Sequence, residues 1–103
     1  MSQPTRIRAQ LQGERVLVRM RLAHEMESGQ RKDDAGRTIP AWYIQQLNVT
    51  LNGRTVLDAM WGPSISKDPY LQFALNGAKA GDKLGVHWLD SRGERRSDEA
   101  TIA

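Results

Sequence analysis

The chain has no cysteine among its 103 residues. That excludes disulfides, thiolate nucleophiles and cysteine-ligated zinc sites, so nothing can be held covalently on sulfur by this chain itself. It leaves the redox compartment open. Long apolar runs are missing as well. Met1 to Leu11 (MSQPTRIRAQL) lacks the run of roughly 7 to 15 apolar residues that a secretory signal needs. No segment nears the roughly 20 apolar residues of a membrane-spanning helix. The expectation is a soluble chain with no export address of its own. Histidine is scarce, with His24 and His87 the two present. No internal repeat, no low-complexity segment and no pattern for a helix longer than a turn is found.

What is present reads as one domain, long enough to bury a real core without staples. The net charge of +3 is mildly basic and permits acidic partners without demanding them. Ile7, Ala9 and Leu11 alternate with Arg6, Arg8 and Gln10. After a Gly13-Glu14 turn, Val16, Val18, Met20 and Leu22 alternate with Arg15, Leu17, Arg19 and Arg21. Period-two patterning on both sides of a tight turn predicts a hairpin with one wet face. That face collects Arg6, Arg8, Arg15, Arg19 and Arg21.

Trp42 to Leu51 reads as the next strand. Trp42 and Ile44 are in one phase and Leu47, Val49 and Leu51 in the other, which predicts a bulge near Gln45-Gln46. "LNGRT" (Leu51 to Thr55) is the strongest hairpin signal, because Asn-Gly accepts the positive φ of a type I′ turn. Arg54 to Trp61 returns, and Gly62-Pro63 stops it. "SKDP" (Ser66 to Pro69) is a turn, and Leu71, Phe73 and Leu75 alternate in the following strand. Leu84, Val86 and Trp88 point inward with His87 outward, "DSRGE" (Asp90 to Glu94) closes a last hairpin, and the polar Arg95 to Ile102 suits an edge. Seven short strands with evenly spaced turn signals predict an all-β, immunoglobulin-like antiparallel sandwich, with Val18, Met20, Val49, Phe73, Val86 and Trp88 in one core. A small closed barrel is the alternative.

Candidate chemistry is thin. His24 with Glu25 and Glu27 offers an imidazole and two carboxylates to a metal, and a small metal-dependent enzyme on these three is the rival functional reading. Ser64 or Ser66 with His24 and Asp58 makes a catalytic trio on paper, without a GxSxG elbow to support it. The paired acids Asp33-Asp34 and Asp98-Glu99 are adjacent residues, which in strands and turns point apart. The arginine face suits solvent, an acidic protein or nucleic acid phosphates. It lacks the interleaved aromatics of single-strand platforms.

The stretch "HEMESGQRKDDAGRTIPAWYI", residues 24–44, does not fit the strand pattern. A connection this long inside a small domain is usually functional or disordered. Its charges nearly balance, and Arg31-Lys32 before Asp33-Asp34, with Gly36 at the exit, reads as a self-compensating turn. Ile39, Pro40, Trp42 and Tyr43 then form a stiff, aromatic corner, which suits an interface anchor and a plug beneath the loop equally well.

The ordered set of "RIRAQ", the 24–44 stretch, "WGPSISKDPYLQF", "GAKAGDKLGVHWLD" and "GERRSDEATIA" resembles the SoxZ family from about Arg6 to Ile102. No one of these segments is diagnostic alone; the order is specific. The resemblance implies an immunoglobulin-like, noncatalytic subunit without cofactor or metal. Its implied partner is SoxY, whose cysteine on a Gly-rich C-terminal arm carries sulfur intermediates through thiosulfate oxidation. Haem, manganese and molybdenum enzymes of the pathway would dock transiently, and no nucleic acid or membrane is implied. The expected location is the periplasm, reached by co-export with the signal-bearing partner. The expected contact surface is His24, Glu25, Met26, Arg31, Lys32, Trp42 and Tyr43, with the Trp61-Gly62-Pro63 corner. A cysteine-free companion suits a thiol carrier, because a second exposed thiol would attack loaded intermediates by exchange.

Overall fold

The computed structural model describes residues 2–103. Seven strands follow in order: β1 (Arg6–Gln12), β2 (Arg15–Arg21), β3 (Ile44–Leu51), β4 (Arg54–Met60), β5 (Tyr70–Asn76), β6 (Lys83–Asp90) and β7 (Arg95–Thr101). They form two antiparallel sheets, β1-β2-β5 and β4-β3-β6-β7. The sandwich expectation is met, and the closed barrel is not, because no ladder joins one sheet to the other.

The alternation determines which side chains meet between the sheets. Val16, Val18, Met20 and Leu22 from one sheet are buried against Leu47, Val49, Leu84, Val86 and Trp88 from the other. The Asn52-Gly53 turn has φ of 49° and 85°, both positive as type I′ requires. The β3–β6 register slips between Ile44 and Gln46, where the change of phase requires an extra residue. A second slip lies between Val49 and Thr50 on the β4 side and leaves Val56 unpaired with β3.

Two strands begin or end short of their sequence pattern. β3 starts at Ile44 rather than Trp42, because Trp42 pairs its backbone with Glu27 of the long loop instead of with a sheet neighbour. β4 stops at Met60, and the Trp61 N–H bonds to the Gln45 carbonyl.

The two flanks of the sandwich differ. On one, β1 is stitched to the C-terminal end: the Leu11 N–H donates to Ala103 O and the Ala103 N–H to Ala9 O. The β4 and β5 flank has no such closure. Leu57, Ala59, Leu71, Phe73 and Leu75 along it pack against the core but remain only half-buried. Phe73 therefore belongs to the margin of the core rather than to its centre.

The chain measures 53 × 22 × 21 Å. Strands of this length span only about 25 Å, so the end loops supply the rest, and 24–43 is the longest of them.

The contrast between centre and margin has a measurable consequence. Met20→Ala, at a site 1% exposed, should cost about 2–5 kcal/mol in urea unfolding. Phe73→Ala, whose ring is only partly buried at the margin of the core, should cost less, about 1–2 kcal/mol, despite its larger size. An equal or larger loss at Phe73 would show that the β4–β5 flank is closed in solution.

Candidate functional site

The long loop is not slack. Its base is pinned where the Leu22 N–H reaches Pro69 O, the Asp68 N–H reaches His24 O, and Asp68 Oδ1 accepts from the His24 N–H at 3.0 Å. Glu27 and Trp42 exchange both backbone hydrogen bonds and zip its two limbs together. Gly29 sits beside that zipper with φ 86°, and a Cβ there would lie 3.2 Å from the Ala41 Cβ, so the limbs approach this closely only with glycine. At the tip, Lys32 and Thr38 form a second bridge. Asp33 Oδ1 accepts from the Ala35 and Arg37 amides, and Arg31 turns back to pair with Glu27 rather than with Asp33 or Asp34.

The loop docks on the sandwich through Asp90, the last residue of β6, which is 1% exposed. Its Oδ2 accepts from His24 Nε2 at 3.0 Å and from the Trp42 indole N–H at 2.7 Å. Its Oδ1 accepts from the Arg92 and Glu94 amides, each at 2.9 Å, and so caps the β6–β7 turn. The His24 Nδ1 accepts from the Met26 N–H at 3.1 Å. That bond leaves Nδ1 bare and places the ring proton on Nε2, facing the carboxylate. Trp88 meets the imidazole edge-on at 5.3 Å, and the Arg92 guanidinium lies over the Trp42 ring at 4.1 Å. Met26 takes φ 51°, a region that L-residues rarely adopt. It is held there by the His24 bond, by the Ile44 N–H on its sulfur, and by burial.

Burial alone would push the Asp90 carboxyl up. Hydrogen bonds from His24, from Trp42 and from the Glu94 and Arg92 amides outweigh burial and hold it below the usual carboxylate value. Asp98 on β7 follows the same pattern: burial opposes its charge, while Arg96 and the Thr5 amide favour it more strongly.

The expected contact residues separate into two groups. His24 and Met26 are buried at 7% and 6% exposure, so their side chains shape the loop from inside rather than present a surface. Glu25, Arg31, Lys32, Gly62 and Pro63 are exposed, and Trp42, Tyr43 and Trp61 are half-exposed. A cleft of about 300 Å³ runs beside the loop base, lined by His24, Glu25, Trp42, Lys67, Asp68 and Trp88 among others.

The metal trio does not assemble. Both His24 nitrogens are engaged, Glu25 faces Lys67 at 3.5 Å and Glu27 is held by Arg31. Among the described residues no group of three or more His, Asp or Glu side chains is placed to hold a metal ion. The Ser-His-Asp trio fails as well, because the carboxylate on His24 is Asp90, not Asp58, and no serine bonds to the ring. His87 lies outward as expected, its Nδ1 2.8 Å from Ser97 Oγ and its Nε2 3.2 Å from Thr50 Oγ1, with no carboxylate to orient it.

These features define an all-β sandwich with an internally tied loop, its one buried histidine–carboxylate pair devoted to holding that loop. The chain belongs to the SoxZ family: the family described as "Sulphur oxidation protein SoxZ" matches residues 5–101. Membership gives the protein a role in the Sox sulfur-oxidation system. No curated protein matches the chain closely enough to count as a relative.

Asp90→Asn tests the network. Four donors converge on the carboxylate, and the amide NH₂ must face two of them, so the variant should lose about 3 kcal/mol at neutral pH. The sign with pH follows from the lowered carboxyl. Its stabilisation is complete above the ordinary carboxylate range and disappears as pH falls through the lowered value. The melting temperatures of wild type and variant should therefore converge in acid. A gap that stayed constant from neutral pH to strong acid would show that the Asp90 charge contributes nothing.

Proposed function

We propose that this chain is the noncatalytic subunit of a SoxYZ-type sulfur carrier, binding the cysteine-bearing SoxY and offering docking surface to the enzymes that load and unload it. The observation that carries the reading is the absence of any thiol in a member of a sulfur-oxidation family. Persulfides and thiosulfonate adducts need a thiolate, so the contribution of this chain is noncovalent. The engaged state of His24 and the scattering of Glu25 and Glu27 support the same reading over the small metal-dependent enzyme. The proposed location is the periplasm, reached by co-export with SoxY.

The contact surface proposed for pairing joins the rigid loop, through Glu25, Arg31, Lys32, Trp42 and Tyr43, to the Trp61-Gly62-Pro63 corner. Met60, beside that corner, is 81% exposed and the most exposed of the large apolar side chains described. A wet thioether next to a half-exposed tryptophan has the composition of an interface centre. Met60→Glu should leave the fold intact and weaken SoxY binding by about tenfold or more, since a carboxylate would be buried without a partner. Isothermal titration checks it, and unchanged affinity would move the contact away from this corner.

The wider reading is tested on the assembled complex. Binding to the folded partner and not to the unfolded one should raise the melting free energy of SoxY by about 2.7 kcal/mol at one hundred times the dissociation constant. After exposure to thiosulfate and the oxidising enzyme of the system, intact-mass analysis should find adducts on SoxY alone. If SoxY melts at the same temperature and turns over equally well without this chain, the subunit reading fails.

A further inference from the structure

We propose that the outer face of the β1-β2-β5 sheet docks an acidic protein surface, whose carboxylates seat between cross-strand arginine pairs. The inference rests on the chain being a protein that binds other proteins, not on SoxY as its partner, and adds a surface and the chemistry of what binds there. Strand register places Arg6 directly opposite Arg21 and Arg8 directly opposite Arg19, with Arg15 near the far end opposite Gln12. Like charges directly opposite each other on one face are destabilising. No carboxylate compensates them. The remaining outward positions are Gln10, Gln12, Leu17, Tyr70, Gln72, Ala74 and Asn76, all uncharged.

The pairs are also unpartnered. Among the described residues, Arg6, Arg8, Arg15 and Arg19 make no ion pair and no side-chain hydrogen bond, while Arg21 touches only the Asp68 carbonyl and the Tyr70 ring. Four guanidiniums frame an open depression of about 440 Å³, floored by the backbone of the inward-pointing Ile7–Met20 pair and edged by Tyr70, which is 51% exposed. Arginine and tyrosine are the side chains enriched at protein contact centres, and the planar guanidinium fork matches a carboxylate bidentately.

Extent and charge balance select a protein over the other anions. The arginines run along nearly the whole hairpin, about 20 Å, which exceeds the reach of one small oxyanion. These five residues exceed the whole net charge of +3, so the rest of the chain carries two more acidic than basic groups. A long nucleic acid strand leaving the patch would meet that acidic remainder, whereas an acidic patch of matching size would not. The one aromatic beside the arginines is also too few for a base-stacking platform. Such a charge-separated surface steers encounter and makes association fast and salt-dependent.

The test uses the full chain, alone and paired with SoxY, with labelled poly-L-glutamate of about 20 residues as the acidic probe at low ionic strength. Arg8→Gln/Arg19→Gln removes one opposed pair; Arg54→Gln/Arg95→Gln removes the same charge from the other sheet. The first should weaken glutamate binding by about tenfold and the second should not. The first should also hold or raise the melting temperature, because it relieves repulsion. Retained SoxY pairing in that variant assigns the face to a partner other than SoxY, and lost pairing assigns it to SoxY; both support an acidic protein. The proposal is overturned by equal loss in the two variants, by a fall in melting temperature, by tighter binding of single-stranded DNA of the same length, or by displacement with sulfate beyond that of chloride at equal ionic strength. Failure of the wild-type chain to pair with SoxY would sink the subunit reading and leave this one standing.

Discussion

Everything at the loop end of the molecule depends on one buried carboxylate. Asp90 has two oxygens and four donors, and the donors come from three separate segments: His24 and Trp42 from the two limbs of the loop, and the Arg92 and Glu94 amides from the β6–β7 turn. A carboxylate taken out of water without partners would neutralise instead of staying charged. Here the donors outweigh burial and the charge persists. The arrangement makes the long 22–43 connection part of the sandwich rather than an appendage. Removing any donor leaves the charge less compensated, and replacing the carboxylate by an amide strands the two donors on one oxygen, so the parts are strongly interdependent.

The same accounting shows why the histidine is not a reagent. A catalytic or metal-binding imidazole needs one nitrogen free to meet a substrate or an ion. His24 has none, since Nδ1 is committed to the Met26 amide and Nε2 to Asp90. Met26 in turn is held at positive φ by this bond and by its own burial, so the ring also fixes a strained backbone. The backbone that carries Glu25, Arg31 and Lys32 is likewise tied, limb to limb, through the Glu27–Trp42 and Lys32–Thr38 bridges.

The sandwich itself is largely legible in the sequence. Period-two alternation in Val16, Val18 and Met20, the Asn52-Gly53 turn and the change of phase at Gln45-Gln46 are local signals, and each corresponds to a feature of the structure. What local patterning does not carry is the pairing of His24 with Asp90 across 66 positions. Asp90 reads as an ordinary turn-opening aspartate, and half of its bonding is indeed that. Trp42 extends the apolar alternation of β3, yet its backbone pairs with Glu27 in the loop and its indole N–H donates to the buried Asp90 carboxylate. Phe73 has the right phase for the core but lies on the unclosed flank, and alternation gives the face of a residue, not its distance from the sheet edge. The rival metal trio fails for a related reason: proximity in sequence says nothing about which counter-charge reaches a side chain first, and Lys67 and Arg31 are nearer to Glu25 and Glu27 than any third ligand.

The two ends of the charge inventory are handled in opposite ways, and that contrast carries the functional argument furthest. At the loop and along β7, charges that would cost stability are matched: Asp90 by four donors, Asp98 by Arg96 and the Thr5 amide. On the β1–β2 hairpin, arginines stand opposite arginines with nothing between them. Exposed guanidiniums are well hydrated, so the repulsion is modest, but a single Glu at any of the outward glutamines would relieve it without touching the core. Selection for stability alone has no reason to leave the outward positions of this face without a single carboxylate. A partner that supplies the missing carboxylates gives it one: the repulsion borne by the free chain then becomes part of the preference for the bound state.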